Sequence, residues 1–276
     1  MLAYWVHNLD PFLIKFPPPW PIDGIRWYGF AYFLAFWLAY LFLKQLGNKG
    51  LIKLSYEQQQ TYLFALFCGI LLGGRLGYVL FYQFDYYWEN LFEIVAIWHG
   101  GMSSHGGFIG ITLALYWLSR KQKYALFSLT DLTVWLGSLG IFFGRCANFI
   151  NAEVIGKPTQ MAWGILYNGE LFARHPSQLY EALGEGLLIF ILATYSIFKK
   201  KTVIHSPGKL SCNFLIFYGI MRCFLERFRE PDAPLICNLS RGQFYSIFVI
   251  LVGALLKLYV KKHPISQNRC IFKSWT

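Results

Sequence analysis

Charge is what this 276-residue chain has least of: 14% of its residues are Asp, Glu, Lys or Arg, against about 25% in soluble domains. So few charges do not solvate a globular surface, and a soluble protein is excluded. Disorder is excluded too, because it needs high charge and low hydrophobicity. Acidic residues are the scarcer sign, 14 against 25 Lys and Arg. The resulting +11 would suit a nucleic-acid binder, but 56% of the residues are apolar, so no nucleic-acid partner is expected. The six cysteines show no CxxC spacing, which argues for buried, inert thiols rather than a disulfide framework or zinc site. HExxH, GxSxG, a Walker loop and GxGxxG before a helix are all missing, so metalloprotease, serine hydrolase and ATPase readings have no support. The few carboxylates outline no metal cage, and neither metal nor cofactor is expected. Met1–Asp10 has no basic n-region and no small-residue cleavage site, so a cleaved signal peptide is not expected.

Long apolar runs are abundant. A helix crosses a bilayer with about 20 mostly apolar residues, and seven segments qualify: Arg26–Leu43, Thr61–Phe81, Met102–Leu118, Ser128–Asn148, Gln178–Phe198, Leu210–Leu225 and Gly242–Val260. The third and sixth are short or polar at one end. No repeat appears, so residues 1–276 read as one all-α integral membrane domain. The connections alternate in charge. One set (Lys44, Lys49 and Lys53; Arg120, Lys121 and Lys123; Lys199, Lys200, Lys201 and Lys209; Lys257, Lys261, Lys262, Arg269 and Lys273) holds 15 of the 25 basic residues, with only Glu57 and Asp131 among the acids of these connections. It therefore carries +13, and the remainder of the chain −2. The positive-inside rule puts the lysine-rich set in the cytoplasm, leaving the N-terminus outside and the C-terminus inside. The outer connections are the elaborate ones. Pro17–Pro21 precedes the first span, residues 84–98 form an amphipathic, Tyr- and Trp-rich segment suited to the headgroup layer, and residues 149–177 are long enough for a small head or lid.

Three spans carry an arginine at similar, outward depth: Arg75, Arg145 and Arg222. Ionisable residues inside a span cost about 2.5–3.5 kcal/mol each and point to function. Guanidinium forks match phosphate oxygens bidentately, and a lipid phosphate is the anion available at that depth. Tyr218, Arg222, Glu226 and Arg229 share one helical face. A plain salt-bridged stripe, Arg222–Glu226–Arg229, would explain that face alone. Gly73, Gly74, Gly77, Gly144 and Gly219 allow close helix approach or access for a headgroup. His105 opens the third span within Met102-Ser-Ser-His-Gly-Gly, and the paired glycines around it imply close approach by another group. His175 opens the fifth in Arg174-His-Pro-Ser177-Gln-Leu-Tyr-Glu181, where Ser177 reads as an N-cap. Tyr28 opens the first in Arg26-Trp-Tyr-Gly.

Gly144-Arg-Cys-Ala-Asn148-Phe-Ile-Asn151-Ala-Glu153-Val-Ile-Gly156 resembles the G-R-x-[GA]-N-F-x-N-x-E-x-x-G signature of the bacterial prolipoprotein diacylglyceryl transferase family. The His105, His175 and Arg26–Gly29 motifs, Gly74-Arg-Leu-Gly-Tyr78, and Tyr218-Gly-x-x-Arg222-x-x-x-Glu226-x-x-Arg229-x-Pro-Asp232 fit the same family, over residues 20–260. Ala147 and Ser104 depart from its commoner residues without removing a functional side chain. The resemblance implies a multi-pass enzyme of the bacterial cytoplasmic (inner) membrane. Such enzymes transfer diacylglyceryl from phosphatidylglycerol to the lipobox cysteine of a prolipoprotein signal peptide. The resemblance marks Arg145, Arg222, His105 and Glu226 as catalytic. Tyr28, Asn148, Glu153 and Gly156 are marked as substrate-binding, with Arg75, Asn151, Tyr218, Arg229 and His175 beside them. A transporter for an anionic lipid or solute, or a non-catalytic lipid-binding scaffold, would also use intramembrane arginines. No inverted repeat favours transport.

Overall fold

The computed structural model describes residues 4–20, 23–97, 100–231 and 233–274. Pro21 of the proline run, Trp98 of the amphipathic segment and Asp232 of the arginine motif lie outside the described residues. In chain order the elements are β1 (Trp5–His7), β2 (Phe12–Lys15), β3 (Gly24–Arg26), α1 (Trp27–Asn48), α2 (Tyr56–Tyr82), α3 (Phe84–Glu89) and a 3₁₀ turn over Leu91–Val95. They continue as α4 (Ser104–Gln122), α5 (Leu126–Ile150), β4 (Ile165–Tyr167), α6 (Ser177–Glu181), a π-helical segment over Ala182–Leu187 and α7 (Leu188–Phe198). The last are α8 (Thr202–His205), α9 (Lys209–Leu225), a 3₁₀ turn over Glu226–Phe228, α10 (Arg241–Lys262) and a 3₁₀ turn over Gln267–Arg269.

Every apolar segment expected to span is helical. Among the described residues five helices are long and apolar enough to cross a membrane: α1, α2, α5, the continuous Ser177–Phe198 helix, and α10. The segments α4 and α9, with 19 and 17 residues, are the two already marked by their length or polarity. Large apolar side chains such as Phe33, Phe64, Leu113, Ile191 and Leu255 stand exposed on these helices. That is the opposite of a water-facing surface. The helix α2 begins five residues before the expected Thr61 because Ser55 caps it. The Ser55 hydroxyl accepts from the Gln58 amide at 3.2 Å, and the Gln58 side chain accepts from the Ser55 amide at 2.9 Å.

The all-helical expectation omits four short strands. β1 pairs in parallel with β4, and β2 pairs antiparallel with β3. The β1–β4 pair joins the chain start to the 149–177 region. His7 reinforces it: its Nε2 lies 2.8 Å from the Phe149 carbonyl oxygen, and its ring stacks on Tyr167.

The chain divides into two compact units, Met1–Leu38 with Asp131–Pro264, and Ala39–Thr130 with Ile265–Thr276. In the second, α2 and α4 meet through glycines. A Cβ on Gly106 or Gly110 would overlap the Gly73 or Gly69 carbonyl, and one on Gly77 would lie 2.7 Å from the Gly106 Cα. The group that approaches the glycines after His105 is therefore a helix, not a ligand. The end of the chain is also built in. Cys270, Ile271 and Phe272 are buried, with the Ile271 amide donating to Ser128 Oγ at 3.0 Å and the Lys53 amide to the Ile271 carbonyl at 2.7 Å. Cys237, in the other unit, is exposed, against the expectation that the thiols are buried.

In the first unit Asp131 anchors α9. Its fully buried carboxylate accepts from the Gly208 amide at 2.6 Å and from the Ser211 amide and hydroxyl at 2.8 and 2.6 Å. These donors have no water to turn to, and each unmade bond costs roughly 1–3 kcal/mol. Asp131→Ala is expected to destabilise the protein by at least about 2 kcal/mol, read as a lowered thermal midpoint in detergent. Asp131→Asn, which keeps one acceptor, should lose less.

Candidate active site

Glu181 and Glu185 sit at the join between α6 and the π segment and are fully buried. The wider i→i+5 winding there is a frequent mark of functional helices. The two carboxylates face the same way and bridge two guanidinium groups. Glu181 offers Oε2 to Arg145 Nη1 at 2.9 Å and Oε1 to Arg222 Nη1 at 2.6 Å. Glu185 repeats the pattern, with Oε2 to Arg145 Nη2 at 3.1 Å and Oε1 to Arg222 Nη1 at 3.3 Å. A closed ring of alternating charge results, with each carboxylate split between the two arginines. Arg222 also pairs with Glu226, its i+4 neighbour, through Nη2 at 2.7 Å, and Arg229 reaches Glu181 at 3.7 Å. Glu226 in turn accepts from Ser240 Oγ at 3.1 Å, at the head of α10.

The glycines beside Glu185 make this convergence possible. A Cβ on Gly186 would stand 2.6 Å from the Phe142 backbone of α5, and one on Gly184 would meet the Met221 and Leu225 side chains of α9. Both arginine-bearing helices thus approach the π segment at van der Waals limits. The expected single-face stripe is interrupted, because α9 ends at Leu225 and Glu226–Phe228 tightens into a 3₁₀ turn. Tyr218, one turn before Arg222, lies within electrostatic reach of Glu185, Arg145, Arg222 and Glu181.

One helical turn after Arg145, Asn148 belongs to a second cluster. Its Nδ2 donates to the Tyr28 hydroxyl and, at 3.1 Å, to Glu153 Oε2; Tyr28 donates to the same oxygen at 3.2 Å, and Asn151 Nδ2 to Glu153 Oε1 at 3.3 Å. Glu153 is held between two residues in the left-handed region, Ala152 (φ 54°) and Val154 (φ 57°). For a β-branched valine this is a real outlier, and such strain collects at functional sites. Hydrogen bonds from the start of α6 hold the turn. Gln178 Nε2 donates to the Glu153 carbonyl at 2.6 Å and Ser177 Oγ to the Val154 carbonyl at 3.1 Å. Ser177 is therefore a clamp on the strained loop and not the N-cap, which is Pro176. Gly156 is required because a Cβ there would meet the His175 and Phe228 carbonyl oxygens. A cavity of about 620 Å³ lies beside the loop, with Asn151, His7, Asp10, Phe12 and Tyr167 in its wall.

The structure gives other expected site residues different surroundings. The Arg75 guanidinium is spent on backbone carbonyls, those of Glu93 (2.6 Å), Ile94 (2.8 Å), Gly101 (3.1 Å), Ala96 (3.2 Å) and Gly100, and it lies over the Tyr87 ring. These bonds hold the segment after α3. His105 is exposed in the first turn of α4, within the second unit. His175 packs between the Tyr180 and Phe228 rings, with Nδ1 3.2 Å from the Tyr180 hydroxyl. Burial there lowers its pKa from the usual value and favours the neutral ring. The sequence reading singled out neither Glu181 as a site residue nor Glu185 at all. The available signal was two carboxylates four residues apart within an apolar run.

The family model described as prolipoprotein diacylglyceryl transferase matches residues 12–259 of the chain. The chain is also similar to proteins named phosphatidylglycerol–prolipoprotein diacylglyceryl transferase. That of Ehrlichia canis (strain Jake) is 41% identical, over 83% of this chain and 89% of the relative. That of Pasteurella multocida (strain Pm70) is 40% identical, over 91% and 92%. That of Idiomarina loihiensis is 40% identical, over 94% and 96%.

Proposed function

This chain belongs to the prolipoprotein diacylglyceryl transferase family, and we infer from that membership the reaction and the part each residue takes in it. The protein transfers the diacylglyceryl group of phosphatidylglycerol to the lipobox cysteine of a prolipoprotein. A C–S thioether bond forms, the C–O bond to phosphate breaks, and glycerol 1-phosphate leaves. This is a step of lipoprotein maturation.

The observation that carries the residue assignment is the Arg145–Glu181–Arg222–Glu185 ring. The leaving phosphate gains charge in the transition state, and fixed donors in a low-dielectric site stabilise it. Arg145 contacts the carboxylates through one nitrogen each, which leaves other N–H groups of the fork for a phosphate oxygen. Arg222 supplies the second donor, with Glu226 fixing its orientation. Tyr28, Asn148, Asn151 and Glu153 hold the glycerol headgroup or an ester oxygen. Tyr218 and Arg229 complete the polar wall around the phosphate. Thiolate is the attacking form, so a base must take up the substrate thiol's proton as the C–S bond forms.

The same reading takes α4 and α9 as spans besides the five longer helices. Seven crossings then put the N-terminus outside, the lysine-rich loops and the C-terminus in the cytoplasm, and the enzyme in the bacterial inner membrane. Residues 84–97 lie at the outer interface.

The test is direct. Purified protein is incubated with phosphatidylglycerol and a lipobox peptide, and the peptide is weighed by mass spectrometry. A cysteine heavier by one diacylglyceryl unit is expected. No adduct from a folded sample defeats the reading and leaves transport or simple lipid binding in its place. Because the nucleophile is the substrate's thiol, Cys146→Ala should transfer within about twofold of wild type, although Cys146 adjoins Arg145. Loss of activity in that variant without loss of folded protein would require a different mechanism.

A further inference from the structure

We propose that Glu181 and Glu185 are positioning residues for the transfer reaction, a paired carboxylate bridge that sets the separation and orientation of the Arg145 and Arg222 guanidinium groups. The inference rests on the phosphate role assigned above to those arginines. The two acids touch no substrate in this scheme. They act through the forks they hold.

The geometry excludes two simpler roles. A stabilising ion pair needs one acid for each base, whereas here each acid divides its two oxygens between both bases. That arrangement triangulates the arginines relative to each other. Nor is the bridge a surface feature that happens to order. Both acids are fully buried, while the Arg145 and Arg222 side chains remain 20% and 11% exposed. The carboxylates sit behind the guanidiniums, and the guanidiniums keep the open side. The backbone is shaped to the same end. The i, i+4 spacing puts Glu181 and Glu185 on one helical face, and Gly184 and Gly186, which flank Glu185, admit both arginine-bearing helices.

Charge balance adds a reason for carboxylates rather than neutral acceptors. Arg145, Arg222 and Arg229 are met by Glu181, Glu185 and Glu226. Buried cations without counter-charges are costly, so the acids let the arginines wait in a low-dielectric site. A neutral cluster holds a phosphodiester less tightly than three bare cations would. It responds most where charge grows, in the transition state, which is where binding accelerates a reaction.

The experiment is steady-state transfer with Glu185→Gln and Glu181→Gln, using phosphatidylglycerol vesicles and a lipobox peptide, at matched thermal midpoint. Glutamine keeps the shape but replaces one acceptor oxygen with a donor, releasing one arginine. For Glu185→Gln we expect kcat to fall about 100-fold, the scale of losing one preorganised donor, with KM for phosphatidylglycerol changed less than about threefold. In an Arg145→Lys background the same substitution should cost clearly less than about 100-fold, because one of the two forks it aligns is already gone. If glutamine does not fold, Glu185→Asp keeps the charge and withdraws it by one methylene, and a fall of at least about tenfold in kcat is expected. Unchanged kcat in the folded glutamine or aspartate variant, or additive losses with Arg145→Lys, overturns the proposal. If the wild-type protein itself makes no adduct, the transfer reading falls first, and the two failures are told apart.

Discussion

Arg145→Ala is expected to lower diacylglyceryl transfer by at least about 100-fold, because one preorganised donor to a developing anion is worth roughly 2.7–4 kcal/mol. The same substitution strands two carboxylates. Glu181 and Glu185 are fully buried, and Arg145 supplies half of their ring contacts. Removing one partner of a buried ion pair costs about 3–5 kcal/mol, so the thermal midpoint should fall as well. Activity must therefore be compared per folded protein. Arg145→Lys separates the two effects. Lysine restores a cation against the carboxylates and should recover most of the midpoint. It presents one ammonium in place of a planar fork, so it cannot meet Glu181, Glu185 and a phosphate oxygen at once. Transfer should stay below about a tenth of wild type. The measurement is adduct formation on a lipobox peptide beside thermal unfolding in the same detergent. Near-normal labelling by a folded Arg145→Ala protein would remove the phosphate role from Arg145 and leave it a structural cation.

The contrast between Arg145 and Arg75 shows what the sequence carries and what it withholds. Both follow a glycine inside an apolar helix, and from the residue string both look like ligands for an anion. Arg145 meets carboxylates from a helix more than thirty residues away, whereas Arg75 meets carbonyls of the connection that follows its own helix. Side-chain partners at that separation are a tertiary result, and local pattern does not encode them. The helices themselves are legible because each apolar run is continuous, and their ends move where a cap intervenes, as at Ser55. The cluster of Tyr28, Asn148, Asn151 and Glu153 is legible through the motif that contains three of them. What holds it is not. The left-handed turn at Ala152 and Val154 and its clamps from Ser177 and Gln178 bring together residues whose separate readings were ordinary. The β1–β4 pairing and the buried Cys270–Phe272 tail were hidden for the same reason, since three-residue extended pieces have no periodicity to detect.

Gly186→Ala is expected to be as damaging as a far larger change elsewhere, and Gly184→Ala almost harmless, although the two glycines flank the same glutamate. At Gly186 the added methyl would lie 2.6 Å from both the amide nitrogen and the Cα of Phe142. Those are backbone atoms of α5, and they cannot step aside without moving the helix. Overpacking against side chains already costs about 1–3 kcal/mol, and a rigid backbone neighbour places this case at or above the upper end. Because α5 carries Arg145 one turn further on, the displacement also draws its fork from Glu181 and Glu185, and a 1 Å misplacement of a catalytic group costs about 100-fold. At Gly184 the methyl would meet the Met221 Cε and a Leu225 methyl at 2.7 and 2.9 Å. These are the far ends of flexible side chains, which can rotate away. The gain from replacing glycine in a helix, roughly 0.5–1 kcal/mol, offsets much of that adjustment. Thermal midpoints and transfer rates of the two variants, measured side by side, should differ sharply. Equal tolerance at both positions would mean that α5 is not seated against the π segment, and the ring of charge would lose its structural basis.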